Sequence, residues 1–206
     1  MKTKDWTGNK LAPFACNGAS NHSSEERAVD DYYATDPQCV RDLLEHEDFN
    51  IHIWEPAVGG GHIAYVLKEN GHEVIASDIV DRGYKGVMTY LDFLDEDFWF
   101  SNLESPIAYD IITNPPYKYA KQFVQRALDL IPTGHKVAMF LKLTFLEGQD
   151  RRQLFDVAPP KTVYVYSKRQ KCAKNGDFSD TKSSAVAYAW FVWEKDFIGP
   201  TQIKWI

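Results

Sequence analysis

Asn114-Pro115-Pro116-Tyr117 is the segment of this sequence best equipped to do chemistry. Two consecutive prolines fix the backbone and remove two N–H donors, leaving rigid carbonyl acceptors. Asn114 adds a side-chain carbonyl, and Tyr117 adds an aromatic face. Such a set suits a conjugated exocyclic amine such as N6 of adenine, a poor nucleophile because its lone pair is delocalised into the ring. The Asn114 oxygen and the Pro115 carbonyl can bind the two N–H groups and turn the lone pair toward an electrophilic carbon. Tyr117 can stack on the ring. The displacement is direct, and no cysteine near a predicted strand end is needed as a nucleophile. The plainer alternative is a proline-stiffened loop after a strand.

A second group lies upstream. Gly59-Gly60-Gly61 falls between a predicted strand and a predicted helix, and Gly59, Gly61 and Ala64 satisfy G-x-G-x-x-A. Glycine there lets backbone approach a ligand, although a simple tight turn uses the same residues. Asp78 ends the next strand, where a carboxylate can accept from ribose hydroxyls. Glu55 precedes the loop; a carboxylate suits the ammonium of a methionine moiety and repels a pyrophosphate. Asp92-Phe93 could hold an adenine by its amino group and ring face, or serve as a helix cap and a core residue. His62 has no second ligand at metal spacing and reads as a helix-start residue, so no metal site is expected.

The elements that must place these groups follow from periodicity. Apolar runs predict strands at 51–54, 72–77, 87–90, 109–113, 136–141, 162–166, 185–193 and 202–205. Helical spacing predicts helices from Asp36-Pro37 to about Glu45, over 62–69, over 120–130 and over 149–155. Early alternation of strand and helix implies a doubly wound, mostly parallel α/β sheet. The two strands at 162–166 and 185–193 lack an intervening helix and should pair antiparallel at one edge. Glu55, Asp78, Asp92 and Asn114 then share the carboxyl ends of the strands, where such sheets bind ligands. Residues 1–30 form a polar, irregular arm with one capping box, Ser23 with Glu26; residues 31–206 form a single domain.

Composition narrows the class. A chain of 206 residues, 44% hydrophobic, has the length and apolar content for one α/β domain with its own core. Net charge is -6, so any nucleic-acid contact needs a local basic patch. Lys168, Arg169, Lys171 and Lys174 in the loop from Ser167 to Ser183, with Arg151 and Arg152, could track phosphates, or could be an ordinary solvated loop. The aromatic run Tyr188, Trp190, Phe191 and Trp193 reads as core. Cys16, Cys39 and Cys172 show no pairing pattern and imply free thiols in a reducing compartment. No apolar run reaches membrane-spanning length and the N-terminus lacks a signal-peptide core, so a cytoplasmic location is expected.

Taken together, these motifs resemble the S-adenosylmethionine-dependent amino-methyltransferases, over roughly residues 30 to 195. The resemblance implies a Rossmann-like class I fold: a mostly parallel seven-stranded sheet with an antiparallel last strand. Glu55-Pro56-Ala57-Val58-Gly59-Gly60-Gly61 resembles the cofactor loop, with Glu where the family has Asp. Asp78-Ile79 resembles the ribose-binding segment, Asp92-Phe93-Leu94 the adenine-binding segment, and Asn114-Pro115-Pro116-Tyr117 the catalytic motif in full. Tyr33-Ala34-Thr35-Asp36-Pro37 resembles the motif that precedes the fold in the gamma order of adenine DNA methyltransferases, which implies that Thr35 contacts the methionine end. There Asp36 departs from the family by separating Thr from Pro. In the family an aromatic from the loop between the last two strands packs on the flipped base, which points to Phe178.

The implied activity is adenine-N6 methylation of DNA, of the small phage and prophage type, in a bacterial host's cytoplasm. The gamma order usually carries a separate target-recognition domain after the catalytic domain, and the expectation here is a chain without one. Selectivity should then be short or supplied by a specificity partner or a second copy. Competing readings are an RNA adenine enzyme, a protein glutamine methyltransferase, a nicotinamide-dependent oxidoreductase and a non-catalytic nucleic-acid-binding module.

Overall fold

A computed structural model describes residues 32–95, 108–170, 172–174, 176, 178 and 186–206. The polar arm, with its Ser23–Glu26 capping box, and Lys171 lie outside the described residues.

Ten strands and four helices are described. A short strap, β1 (Tyr33–Thr35), leads into α1 (Pro37–Leu44). The Asp36 carboxylate caps that helix by accepting from Gln38 N at 2.9 Å, and Pro37 at the first position loses no hydrogen bond. Then follow β2 (His52–Glu55), α2 (His62–Glu69), β3 (Glu73–Asp78), β4 (Met88–Thr89), β5 (Asp110–Thr113), α3 (Ala120–Leu130) and β6 (Lys136–Lys142). The chain continues with α4 (Gln149–Val157), β7 (Thr162–Val165), β8 (Cys172–Lys174), β9 (Tyr188–Glu194) and β10 (Gln202–Trp205).

Eight strands form one sheet in the order β10-β7-β9-β6-β5-β2-β3-β4. All neighbouring pairs are parallel except those of β9, which runs antiparallel to both β6 and β7. The expected β7–β9 pair is therefore present, but it does not close the sheet. β9 inserts between β6 and β7, and β10 adds an eighth strand, parallel to β7, at the edge. The sequence could not give this order, because alternation fixes which residues face a layer and not which strand lies beside which. β1 and β8 form a separate antiparallel ribbon, with Thr35 opposite Cys172. Neither strand was expected from periodicity, since each is only three residues long.

Both faces of the sheet are covered, as a parallel sheet requires. On β6, Val137, Met139 and Leu141 face a core shared with α3 and Leu154 of α4. Ala138 and Phe140 face a second core shared with α1 and α2. β9 splits in the same way: Phe191 and Trp193 on one side, Tyr188, Trp190 and Val192 on the other. Below the site, buried Asp110 ties strand starts together, accepting from Asn50 N at 2.7 Å and Lys136 N at 2.9 Å. No helix among the described residues is long and apolar enough to cross a membrane.

Candidate active site

β2, β3 and β5 end at the same side of the sheet, and the residues that follow them line a crevice of about 630 Å³. Pro56 and Ala57 come from the end of β2, Asp78, Ile79 and Val80 from β3, and Asn114, Pro115 and Pro116 from β5. Asp92, Phe93 and Leu94 close one wall. A much smaller cavity of about 20 Å³ adjoins it and is lined by Thr35, Glu55, His62, Asn114 and Tyr32 among others. The grouping expected from strand ends is therefore a real juxtaposition.

The orientation of the Asn114 amide is fixed by its partners. Its nitrogen donates to the Tyr33 carbonyl at 2.7 Å and to Thr35 Oγ1 at 3.0 Å. The Tyr33 carbonyl can only accept, so the nitrogen must face it and the oxygen must face away. That oxygen is buried and has no hydrogen-bond partner. A buried acceptor left unsatisfied costs about 1–3 kcal/mol, which a ligand donor would relieve. Thr35, on the same strap, thus holds the amide directly.

Glu55 is the second group of this kind. It is 1% exposed and accepts a backbone bond from Ala64, yet its Oε2 has no partner. Burial pushes its carboxyl well above the ordinary carboxylate range, and the nearby Asp78 charge adds to the rise. Asp78 braces the glycine loop: Oδ2 accepts from Gly59 N at 2.8 Å and Oδ1 from Val80 N at 3.0 Å. Asp92 is exposed, and its Oδ1 accepts from Leu94 N at 2.9 Å. Phe93 is buried edge-on against Trp54, ring centres 5.0 Å apart, so it serves both core and crevice.

The glycines act at one remove. Gly59 and Gly61 line neither cavity. A Cβ on Gly59 would come within 2.4 Å of the Tyr32 ring, and one on Gly61 within 2.1 Å of the Tyr84 ring. Tyr32 lies across the loop, with its hydroxyl accepting from Gly60 N at 3.0 Å and the Arg82 guanidinium over its ring at 4.5 Å. It lines both cavities. The donor that the loop would offer to a ligand is therefore already engaged by this phenol.

Other expected site residues lie elsewhere. Tyr117 lines neither cavity. Its ring lies against Tyr33 and Tyr188, with Lys142 Nζ 4.8 Å from its centre and its hydroxyl 3.6 Å from Cys172 Sγ. Burial pushes that hydroxyl well above its ordinary range. Phe178 packs against His62 of α2, ring centres 5.4 Å apart, outside both cavity linings. Lys168 and Arg169 are exposed on the segment joining β7 to the β1–β8 ribbon and line neither cavity. Periodicity and motif spacing missed Tyr32, Tyr33, Arg82, Lys118 and Tyr119, all of which line the crevice. The one available signal was the aromatic pair Tyr32-Tyr33 where the strap begins. No group of three or more His, Cys, Asp or Glu residues that could hold a metal is found among the described residues.

No family model matches the sequence, and no curated protein does either. Solved structures do. A protein from Listeria monocytogenes assigned as a class I S-adenosylmethionine-dependent methyltransferase aligns with a TM-score of 0.55 at 14% identity, over 94% of this chain and 70% of that one. A Pyrococcus horikoshii protein assigned as an RNA methyltransferase gives 0.52 at 13% identity, over 77% and 81%. The 23S rRNA methyltransferase ErmE gives 0.51 at 16% identity, over 79% and 69%. At these identities the likeness is one of architecture: the chain has the Rossmann-like fold of the class I methyltransferases.

Proposed function

We propose that the chain transfers a methyl group from S-adenosylmethionine to a ring-bound exocyclic amine, N6 of adenine in DNA. One observation carries the reading: the Asn114 amide is locked with its oxygen unpartnered, beside two prolines, at the wall of a crevice that can hold a flat ring. An acceptor held rigid in a desolvated place is what a weakly nucleophilic amine needs as positive charge grows on its nitrogen.

The residues present fit the cofactor. Asp78 can accept from ribose hydroxyls with the lone pairs that the loop does not use, and Phe93, Ile79 and Asp92 surround the place of the adenine. The unpartnered Glu55 oxygen beside the small cavity suits the ammonium of the methionine end. When bound, the sulfonium supplies an electrophilic methyl carbon. Asn114 and the Pro115 carbonyl hold the amine's two hydrogens and aim its lone pair; Thr35 and the Tyr33 carbonyl hold Asn114. The proton leaves the methylated nitrogen to solvent, so no buried base is required. On the sequence pattern alone, Lys168, Arg169 and Lys171 are proposed for phosphate contacts and Phe178 for the substrate, outside the crevice. The RNA enzymes among the structural neighbours make an RNA adenine the second reading.

Transfer of tritium from labelled S-adenosylmethionine to duplex DNA, single-stranded DNA, RNA and protein tests this directly. We expect label in DNA, recovered as N6-methyladenine. Label in RNA or protein with none in DNA would overturn the substrate, and a thermal shift with NAD but none with S-adenosylhomocysteine would overturn the cofactor.

Two predictions concern the cofactor end. The 20 Å³ cavity is too small for a methionine tail while Tyr32 lies on the loop, so Tyr32 must yield Gly60 N. Tyr32→Phe removes the competing hydrogen bond, worth about 1 kcal/mol. Calorimetry should therefore show S-adenosylhomocysteine binding roughly fivefold tighter; weaker binding would mean that the hydroxyl contacts the cofactor instead.

The second prediction is a pH dependence. Glu55 starts with a raised carboxyl, and a bound ammonium favours its ionised form, so binding releases a proton. Affinity should rise with pH from the ordinary carboxylate range upward, and level off once Glu55 is ionised in the free protein. Glu55→Gln should flatten that rise; an unchanged pH profile in the variant would assign it to another group.

A further inference from the structure

A column of aromatic rings runs out of the core and stops at the crevice. Trp190 lies 5.1 Å from Phe140, Phe140 stacks on Tyr188 at 5.2 Å with 13° between planes, and Tyr188 lies 6.0 Å from Tyr117. Tyr33 stacks on Tyr117 at 5.8 Å and is the last rung. Tyr33 is partly buried and lines the main cavity beside Asn114; Tyr117 does not line it.

From this we infer that Tyr33 is the platform on which the flat substrate ring stacks, with Tyr117 as its backing. The inference rests on the proposed function and deepens it. Tyr117 has little surface to offer, because Tyr33, Tyr188 and Lys142 lie around its ring. For a substrate to reach Tyr117, Tyr33 would have to leave. That would break the Asn114 bond to the Tyr33 carbonyl and disturb the ribbon in which Tyr33 pairs with Lys174. Stacking on Tyr33 from the crevice that it lines breaks none of these contacts. The same peptide that carries the ring also orients the acceptor, so ring and amide are set relative to each other before any substrate arrives. A planar heteroaromatic amine with one face on Tyr33 is the class of substrate this arrangement selects, and stacking of that kind is tolerant of which base it meets.

The experiment measures steady-state tritium transfer to duplex DNA of degenerate sequence, and S-adenosylhomocysteine affinity by calorimetry, for wild type, Tyr33→Phe, Tyr33→Leu and Tyr33→Ala. Leucine keeps bulk without a π face, so it stands if alanine fails to fold. We expect Tyr33→Leu and Tyr33→Ala to raise KM for DNA roughly tenfold or more. Tyr33 also borders the small cavity beside Glu55, so S-adenosylhomocysteine affinity should fall by a clearly smaller factor than DNA affinity, and Tyr33→Phe should behave as wild type. A lowered or unchanged KM in active Tyr33→Leu overturns the assignment, since it means that the ring shields Tyr117 or is idle. Equal losses for DNA and S-adenosylhomocysteine also overturn it, in favour of a purely structural role. A wild-type protein that labels no DNA overturns the proposed function itself, and is told apart because the wild-type arm alone reveals it.

Discussion

Asn114→Ala should lower the turnover rate by roughly 10²–10³-fold while leaving S-adenosylhomocysteine affinity nearly unchanged. The loss follows from geometry: the oxygen removed is the buried acceptor with no partner in the free protein. Alanine also removes the amide nitrogen, so the strap should loosen, but the ladders of the main sheet do not use this side chain and the variant should fold. The amide nitrogen does have a structural role, since it links the strap to β5 through Tyr33 and Thr35. Asn114→Asp probes the part played by the nitrogen. It keeps an acceptor but sets a carboxylate oxygen against the Tyr33 carbonyl, two acceptors with no hydrogen between them. That variant should lose both turnover and stability of the strap, read as faster amide exchange in residues 33–35. Single-turnover transfer under saturating cofactor is the decisive measurement; a rate for Asn114→Ala within about threefold of wild type would remove Asn114 from the mechanism.

Among the described glycines, Gly61→Ala should be the most damaging substitution. Gly61 caps α2 with φ +87°, a left-handed conformation that costs other residues about 1–2 kcal/mol. Its new Cβ would also come within 2.1 Å of the Tyr84 ring, which is 3% exposed and held edge-on by Tyr65 at 5.0 Å. Tyr84 cannot move aside cheaply from that place, and such overpacking costs about 1–3 kcal/mol more. A combined loss of about 2–5 kcal/mol corresponds to a fall in Tm of roughly 5–20 °C for a domain of this size. Cofactor affinity should fall as well, because the loop and the start of α2 move together. Gly71→Ala is the control: φ is again +87°, but nothing lies within 4 Å of its Cβ. It should show the backbone cost alone. Equal Tm values for the two variants would mean that the Tyr84 contact contributes nothing.

The layer structure was legible because burial on both faces of a sheet imposes a pattern on sequence. Val137 to Leu141 is a continuous apolar run, and it became a central strand with alternate residues in opposite cores. The helix over Ala120–Leu130 was readable from its 3.6-residue spacing, and the start of α1 from Asp36-Pro37. The chemistry proposed for the site was legible for a different reason. Backbone rigidity at Pro115-Pro116, and carboxylates at the ends of consecutive strands, are written in residue type and order.

What the chain could not state alone was which surfaces meet across long separations. Nothing local says that Tyr33 lies on Tyr117, that Tyr32 closes the loop 28 residues away, or that Thr35 pairs with Cys172. Nor does spacing tell which face of Tyr117 is covered. Residue types and their order determined which groups are offered for chemistry and the layer in which each element belongs, because helical and strand periodicity and proline stiffness act within a few residues. The tertiary structure decided which aromatic ring faces the crevice and which way the Asn114 amide turns. Those outcomes depend on contacts between segments that only the folded sheet brings within reach.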